Sequence, residues 1–166
     1  VKQPLSVVRC LRELRSLRIG LVGGRVPGFY TSNFDEMKLR RELGVTVEVS
    51  DIAEVIDTAG KLTDGQLEEA GGIVRNSAAS VCAVTDAELE KAARMFGAFK
   101  SMAKKYRLSE FAVRCWPEFS DLFGIAPCAV LGMLSDNGYP TSCEGDIPGA
   151  VTMAILKLLA GGGIPF

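Results

Sequence analysis

The side chains able to do chemistry gather between positions 111 and 153, in two short groups: Cys115-Trp116-Pro117-Glu118 and Cys143-Glu144-Gly145-Asp146. Glu118 and Asp146 stand 28 positions apart (146 − 118) on what read as separate elements. Two carboxylates converging from separate elements are hard oxygen donors, a set that suits Mg²⁺ or Mn²⁺ better than zinc. Each acid also has a plainer reading. Asp146 precedes Ile147-Pro148 at the head of an apolar run, where aspartate is a normal helix N-cap and proline fits the first turn. The two roles are compatible, because a helix N-terminus stabilises the ionised carboxylate that a metal requires. Glu118 reads equally as a solvated loop acid or as a ligand-facing one. Glu144 is a third candidate, at a strand end where it or Cys143 points inward. Arg25, in a glycine-rich loop, is by default a surface cation, and a contact for a polar ligand if its loop shares an edge with the acids.

Other residue types narrow the chemistry. The 166 residues contain no histidine, which removes the commonest metal ligand and the commonest general base near neutral pH. Five cysteines, at 10, 82, 115, 128 and 143, form no C-x-x-C pair and read as reduced thiols of a cytosolic core, so a zinc site is not expected. The opening residues lack signal-peptide character, and the expected compartment is the cytoplasm. Nineteen basic and 20 acidic residues leave a net charge of −1. The one basic cluster, 100–107, falls on the solvent side of an expected helix, so nucleic acid is not an expected partner. Nor is a membrane: the most apolar tract, 147–166, is broken by Pro148, Lys157, Gly161 to Gly163 and Pro165.

Apolar positions 7, 8, 11, 14 and 17 predict a helix over 5–17. Residues 18–24 form a short strand running into glycines, the place where α/β proteins put ligand loops. The G-x-x-G-G spacing matches neither the dinucleotide fingerprint nor a P-loop. Ser32-x-x-Asp35 resembles a capping box opening a helix that Gly44 ends. A strand over 45–49, a helix from Asp51 to Ala59 and a weak helix over 63–76 follow. The long helix over 86–107 has a Thr85-x-x-Glu88 capping box and one apolar stripe, read as core packing. Residues 111–116 form a strand ended by Pro117, which puts Glu118 just past its carboxyl end. A helix over 126–134, an extended stretch over 139–143 and a helix over 147–159 complete the series. Strands alternating with helices predict a doubly wound, mainly parallel open α/β sheet, flavodoxin- or Rossmann-like, with helices on both faces.

G-G-R-x-P-G-F-Y, R-C-W-P-E-F and C-E-G-D-I-P-G-A-V-T-M together resemble the L-fucose and L-arabinose isomerase superfamily, in its fucose isomerase-like branch. The resemblance covers nearly the whole chain. It implies a cytoplasmic, homo-oligomeric enzyme that interconverts aldoses and ketoses with Mn²⁺, or with Mg²⁺. It also implies that Glu118 and Asp146 are the metal-binding carboxylates and move the proton between C1 and C2 of a free sugar through an enediol. Arg25 is the expected substrate contact. The family's third ligand, a histidine, has no counterpart here. Residues 1–137 are thereby expected to be the central domain, and 138–166 the start of a truncated C-terminal domain. Val1 at one end and a strand beginning at Ile164-Pro165-Phe166 at the other fit a piece of a longer enzyme. Such a piece is expected to bind Mn²⁺ weakly and to lack isomerase activity. The alternative is a non-catalytic sugar- or nucleotide-binding domain that uses the loop from Gly20 to Tyr30.

Overall fold

A computed structural model describes residues 2–78, 80 and 82–161, with backbone only for 2–4. Four short strands form one sheet: β1 (Arg18–Val22), β2 (Thr46–Ser50), β3 (Glu110–Val113) and β4 (Thr141–Ser142). All pairings are parallel, in the order β2-β1-β3-β4, with Gly20 opposite Phe111 and Ala112 opposite Ser142. Parallel strands need crossovers, and here helices supply them. α2 (Glu36–Leu43) joins β1 to β2; α3 (Ile52–Gly60), α4 (Asp64–Asn76) and α5 (Asp86–Tyr106) join β2 to β3; α6 (Cys128–Asp136) precedes β4. α1 (Lys2–Leu14) and α7 (Ile147–Ala160) begin and end the series.

Both faces of the sheet are covered, because side chains alternate along each strand. Phe111 and Val113 point into a core made with α3, α4, α5 and α6, where Phe96, Phe99 and Phe119 are fully buried. Phe99 meets Phe111 edge-on at 5.2 Å between ring centres. Ala112, Ile19, Leu21 and Val47 point the other way, against Cys10 and Leu14 of α1, Leu39 and Leu43 of α2, and Ile147, Ala150 and Val151 of α7. The expected doubly wound sheet is what the chain forms. β4 and α7, beyond position 137, are built into this same sheet and core.

Several element boundaries differ from expectation for local reasons. The first helix closes at Leu14 rather than 17. Leu17 is buried ahead of β1, while Val7, Val8 and Leu11 lie exposed, so the apolar stripe is wider than the buried face. Ser32 does not cap α2. Its hydroxyl donates to the Phe29 carbonyl at 2.9 Å inside a 3₁₀ turn, and Asp35 is the cap, accepting from the Lys38 N–H at 2.8 Å. α4, read as weak, carries a complete capping box between Thr63 and Gln66, as α5 does between Thr85 and Glu88. β3 ends at Val113, and α6 begins at Cys128, two residues late. Residues Phe119–Phe123, given no element by the sequence reading, form a π-type turn. The strand expected at 164–166 lies outside the described residues.

Glu110, at the amino end of β3, is 2% exposed, and its Oε2 has no hydrogen-bond partner. Burial pushes its carboxyl up to about 8, with Lys157 pulling weakly the other way. A carboxyl held protonated in the fold but ionised when unfolded stabilises the protein at low pH. That contribution is lost as the pH rises from near the ordinary value of 4.5 through about 8. Wild-type unfolding free energy is expected to fall by roughly 2–4 kcal/mol between pH 5 and 8 from this group. Urea titrations of Glu110→Gln across that range are expected to show this slope removed.

Candidate active site

In an open parallel sheet, ligands bind beyond the carboxyl ends of the strands, where neighbouring strands send their chains to opposite faces. The order β2-β1-β3-β4 places that point between β1 and β3. Three loops converge there: Gly23 to Arg25 after β1, Arg114 to Glu118 after β3, and Cys143 to Asp146 after β4.

Arg114 joins the first two loops. Its backbone N–H extends the ladder to the Val22 carbonyl at 2.9 Å, and its guanidinium Nη1 donates to the Gly23 carbonyl at 3.2 Å. The same guanidinium grips Glu118 with both prongs, Nε donating to Oε2 at 3.0 Å and Nη2 pairing with Oε1. Glu118 is therefore not a free loop acid. It is half-buried and charge-paired at the head of the π-type turn, held there by its neighbour Phe119, which packs 6.3 Å from Phe99.

The third loop is fixed by a tight turn. The Gly145 N–H donates to the Val113 carbonyl at 3.0 Å, and Glu144 and Gly145 both take left-handed backbone conformations, at φ 59° and 65°. A Cβ on Gly145 would run into the Gly24 carbonyl. Only glycine allows this approach. Asp146 then caps α7, its Oδ1 accepting from the Gly149 N–H at 2.9 Å, while the Ser142 hydroxyl donates to its carbonyl at 2.7 Å. Asp146 borders an open cleft of about 620 Å³ with Ser142, Cys143, Gly149, Thr152 and Met153. Arg25 lies half-buried in the first loop, stacked 5.0 Å over the Tyr30 ring and donating to the Val26 carbonyl at 3.2 Å.

Glu118, Asp146 and Arg25 thus all sit on the carboxyl edge, but no hydrogen bond joins any two of them. What the edge draws into direct contact is a set the sequence reading left apart: Cys115, Cys143 and Glu144. The two sulfurs are 3.0 Å apart, and Glu144 Oε1 lies 3.4 Å from Cys115 Sγ and 3.9 Å from Cys143 Sγ. Burial, with the Cys143 contact adding to it, pushes the Cys115 thiol up to about 12. No spacing along the chain signalled this set: the β3–β4 register pairs positions 30 apart, Phe111 with Thr141 and Ala112 with Ser142, whereas the two cysteines are 28 apart (143 − 115).

No protein-family model matches the chain. Among curated proteins, a sulfoquinovose isomerase of Priestia megaterium is 36% identical over 170 residues, covering 98% of this chain and 36% of the relative. The chain is similar to sulfoquinovose isomerases. One from Alkalicoccus urumqiensis is 31% identical over 163 residues, covering 96% of this chain and 36% of the relative. A more distant one, from a Clostridium species, is 27% identical over 149 residues, covering 90% of the chain and 33% of the relative. The chain thus spans about a third of the length of the curated relatives it matches. Among the described residues, no helix is long and apolar enough to cross a membrane.

The Cys-Glu-Gly-Asp turn carries the most demanding geometry of the edge. Gly145→Ala is expected to lower the unfolding free energy by about 2–3 kcal/mol, combining left-handed strain with displacement of the Gly24 loop. Asp146→Asn, which keeps a good cap, is expected to cost under about 0.5 kcal/mol, and Asp146→Ala about 1 kcal/mol. Urea denaturation of the three variants measures all of these.

Proposed function

We propose that this chain is the part of a metal-dependent aldose–ketose isomerase, of the fucose isomerase-like kind, that carries two of its catalytic carboxylates, Glu118 and Asp146. The observation that carries the reading is the pair of acids on one carboxyl edge, in a chain similar over nearly its whole length to sulfoquinovose isomerases. A free sugar is the substrate class, and sulfoquinovose, named for the relatives, is the first sugar to test.

The donors fit Mn²⁺ or Mg²⁺ in kind. Both are hard carboxylate oxygens. Glu118 already holds a cation, the Arg114 guanidinium, and Asp146 has its second oxygen outside the bond to Gly149. When bound, such an ion supplies Lewis-acid polarisation of the sugar's carbonyl and hydroxyl oxygens. The chain's own groups do the rest. One carboxylate removes the proton from the carbon next to the carbonyl, giving an enediol, and a proton returns to the neighbouring carbon. Arg114 fixes the Glu118 carboxylate, and the cap bond fixes Asp146, so neither searches rotamers before reaction. Arg25, stacked on Tyr30, offers a cation to the polar groups of the sugar.

Thermal melting of the 166-residue chain against millimolar Mn²⁺ tests this reading. At ten times the dissociation constant the melting temperature is expected to rise by about 3–5 °C. The rise is expected to vanish in Glu118→Gln and in Asp146→Asn, with far-UV circular dichroism unchanged. A rise retained in either variant overturns the assignment. A response to sugar or nucleotide without metal replaces it with a non-catalytic binding domain.

A further inference from the structure

We propose that Cys115 and Cys143 are a reversible thiol–disulfide pair, a modification site that ties the loop after β3 to the loop after β4. The inference does not depend on the isomerase reading, since it rests on the thiols alone and is tested on them.

Three observations carry it. The sulfurs lie 3.0 Å apart, closer than two thiols in ordinary packing, so bond formation needs a closing movement of about 1 Å to the usual S–S length. The two thiols differ in access: Cys143 is exposed and Cys115 is buried. An oxidant therefore meets Cys143 first, and Cys115 waits behind it as the resolving partner. The third is the left-handed Glu144, whose carboxylate accepts a hydrogen bond from the Cys115 thiol at 3.4 Å. An unfavourable backbone conformation in a non-glycine residue persists only where its surroundings fix it, and here it aims a carboxylate at both sulfurs. The other described cysteines, Cys10, Cys82 and Cys128, have no sulfur contact of this kind. A buried thiol pushed up to about 12 does not react by itself, which directs oxidation to the pair rather than to Cys115 alone.

With hydrogen peroxide as the oxidant, the steps balance. The Cys143 thiol reduces one peroxide, giving a sulfenic acid and one water. The Cys115 sulfur then attacks the sulfenic sulfur, forming the S–S bond. The hydroxyl leaves with the Cys115 proton as a second water. Two electrons pass from the pair to the peroxide, and a dithiol reductant reverses the change. The new bond closes a loop of about 28 residues and fixes the spacing between the turns bearing Glu118 and Asp146.

The experiment uses the 166-residue chain and its Cys10→Ser/Cys82→Ser/Cys128→Ser variant, exposed to a few equivalents of hydrogen peroxide. In both proteins, intact mass is expected to fall by about 2 Da, as two thiols lose one hydrogen each. Non-reducing peptide mapping is expected to find 115 linked to 143, melting is expected to shift upward by several degrees, and dithiothreitol is expected to restore mass and thiol count. In Cys115→Ser, Cys143 is expected to stop at sulfenic acid or go on to sulfinic acid, with no linked peptide. Sulfinic acid at Cys143 in the wild-type chain, or a link involving any other cysteine, overturns the proposal. Because every readout is mass, linkage or melting, its failure is distinguishable from failure of the Mn²⁺ assignment.

Discussion

Everything at the candidate site depends on β3 being a central strand with parallel partners on both sides. Its pairing to β1 puts Val113 level with Val22, so Arg114 emerges where its backbone and its guanidinium both reach the end of β1. Its pairing to β4 brings the Cys-Glu-Gly-Asp turn down onto the Val113 carbonyl. Four residues of strand, Glu110–Val113, thereby set the relation among three loops. Such economy is possible because β3 is buried on both faces and has no freedom to slip. A one-residue slip would carry Phe111 out of the aromatic core around Phe99 and Phe119.

The fold was largely legible in the sequence because its signals are local. Glycine after Leu43, the Thr85–Glu88 capping box and the apolar stripe of α5 each state their meaning within a few residues. Asp146 as a cap was readable for the same reason. What local pattern could not supply was pairing between distant positions. Arg114 stands in the sequence only as the first residue of R-C-W-P-E-F, with no role of its own, since a cation at a strand end is ordinary; its importance comes from Gly23, 91 positions earlier in the chain. Glu118 was placed correctly beyond a strand, but its ion pair required a chain that curls back into a π-type turn, which no periodicity announces. The cysteines were judged by their spacing along the chain, whereas their chemistry is set by spacing across the sheet.

The edge also divides its charged groups by function. Glu118 and Asp146 are each held by a partner, a guanidinium in one case and a helix N-terminus in the other. Glu110, at the opposite end of the same strand, has no hydrogen-bond partner at Oε2, and burial outweighs the pull of Lys157, so it stays protonated well above the usual range. One short strand therefore carries a dry acid at its amino end and leads to a half-buried, ion-paired one beyond its carboxyl end. The difference comes from neighbours rather than from residue type.

The first helix has a different bearing on how the chain behaves. Leu5, Val7, Val8 and Leu11 are each at least half exposed, while Cys10 and Leu14 hold the helix to α7 and the sheet. A ridge of aliphatic side chains in water, on a chain whose net charge is only −1, has little electrostatic repulsion to keep copies apart. Colloidal behaviour is then decoupled from folding stability: a chain with an intact core still loses solubility as its concentration rises, and low salt offers little protection because there is so little charge to unscreen.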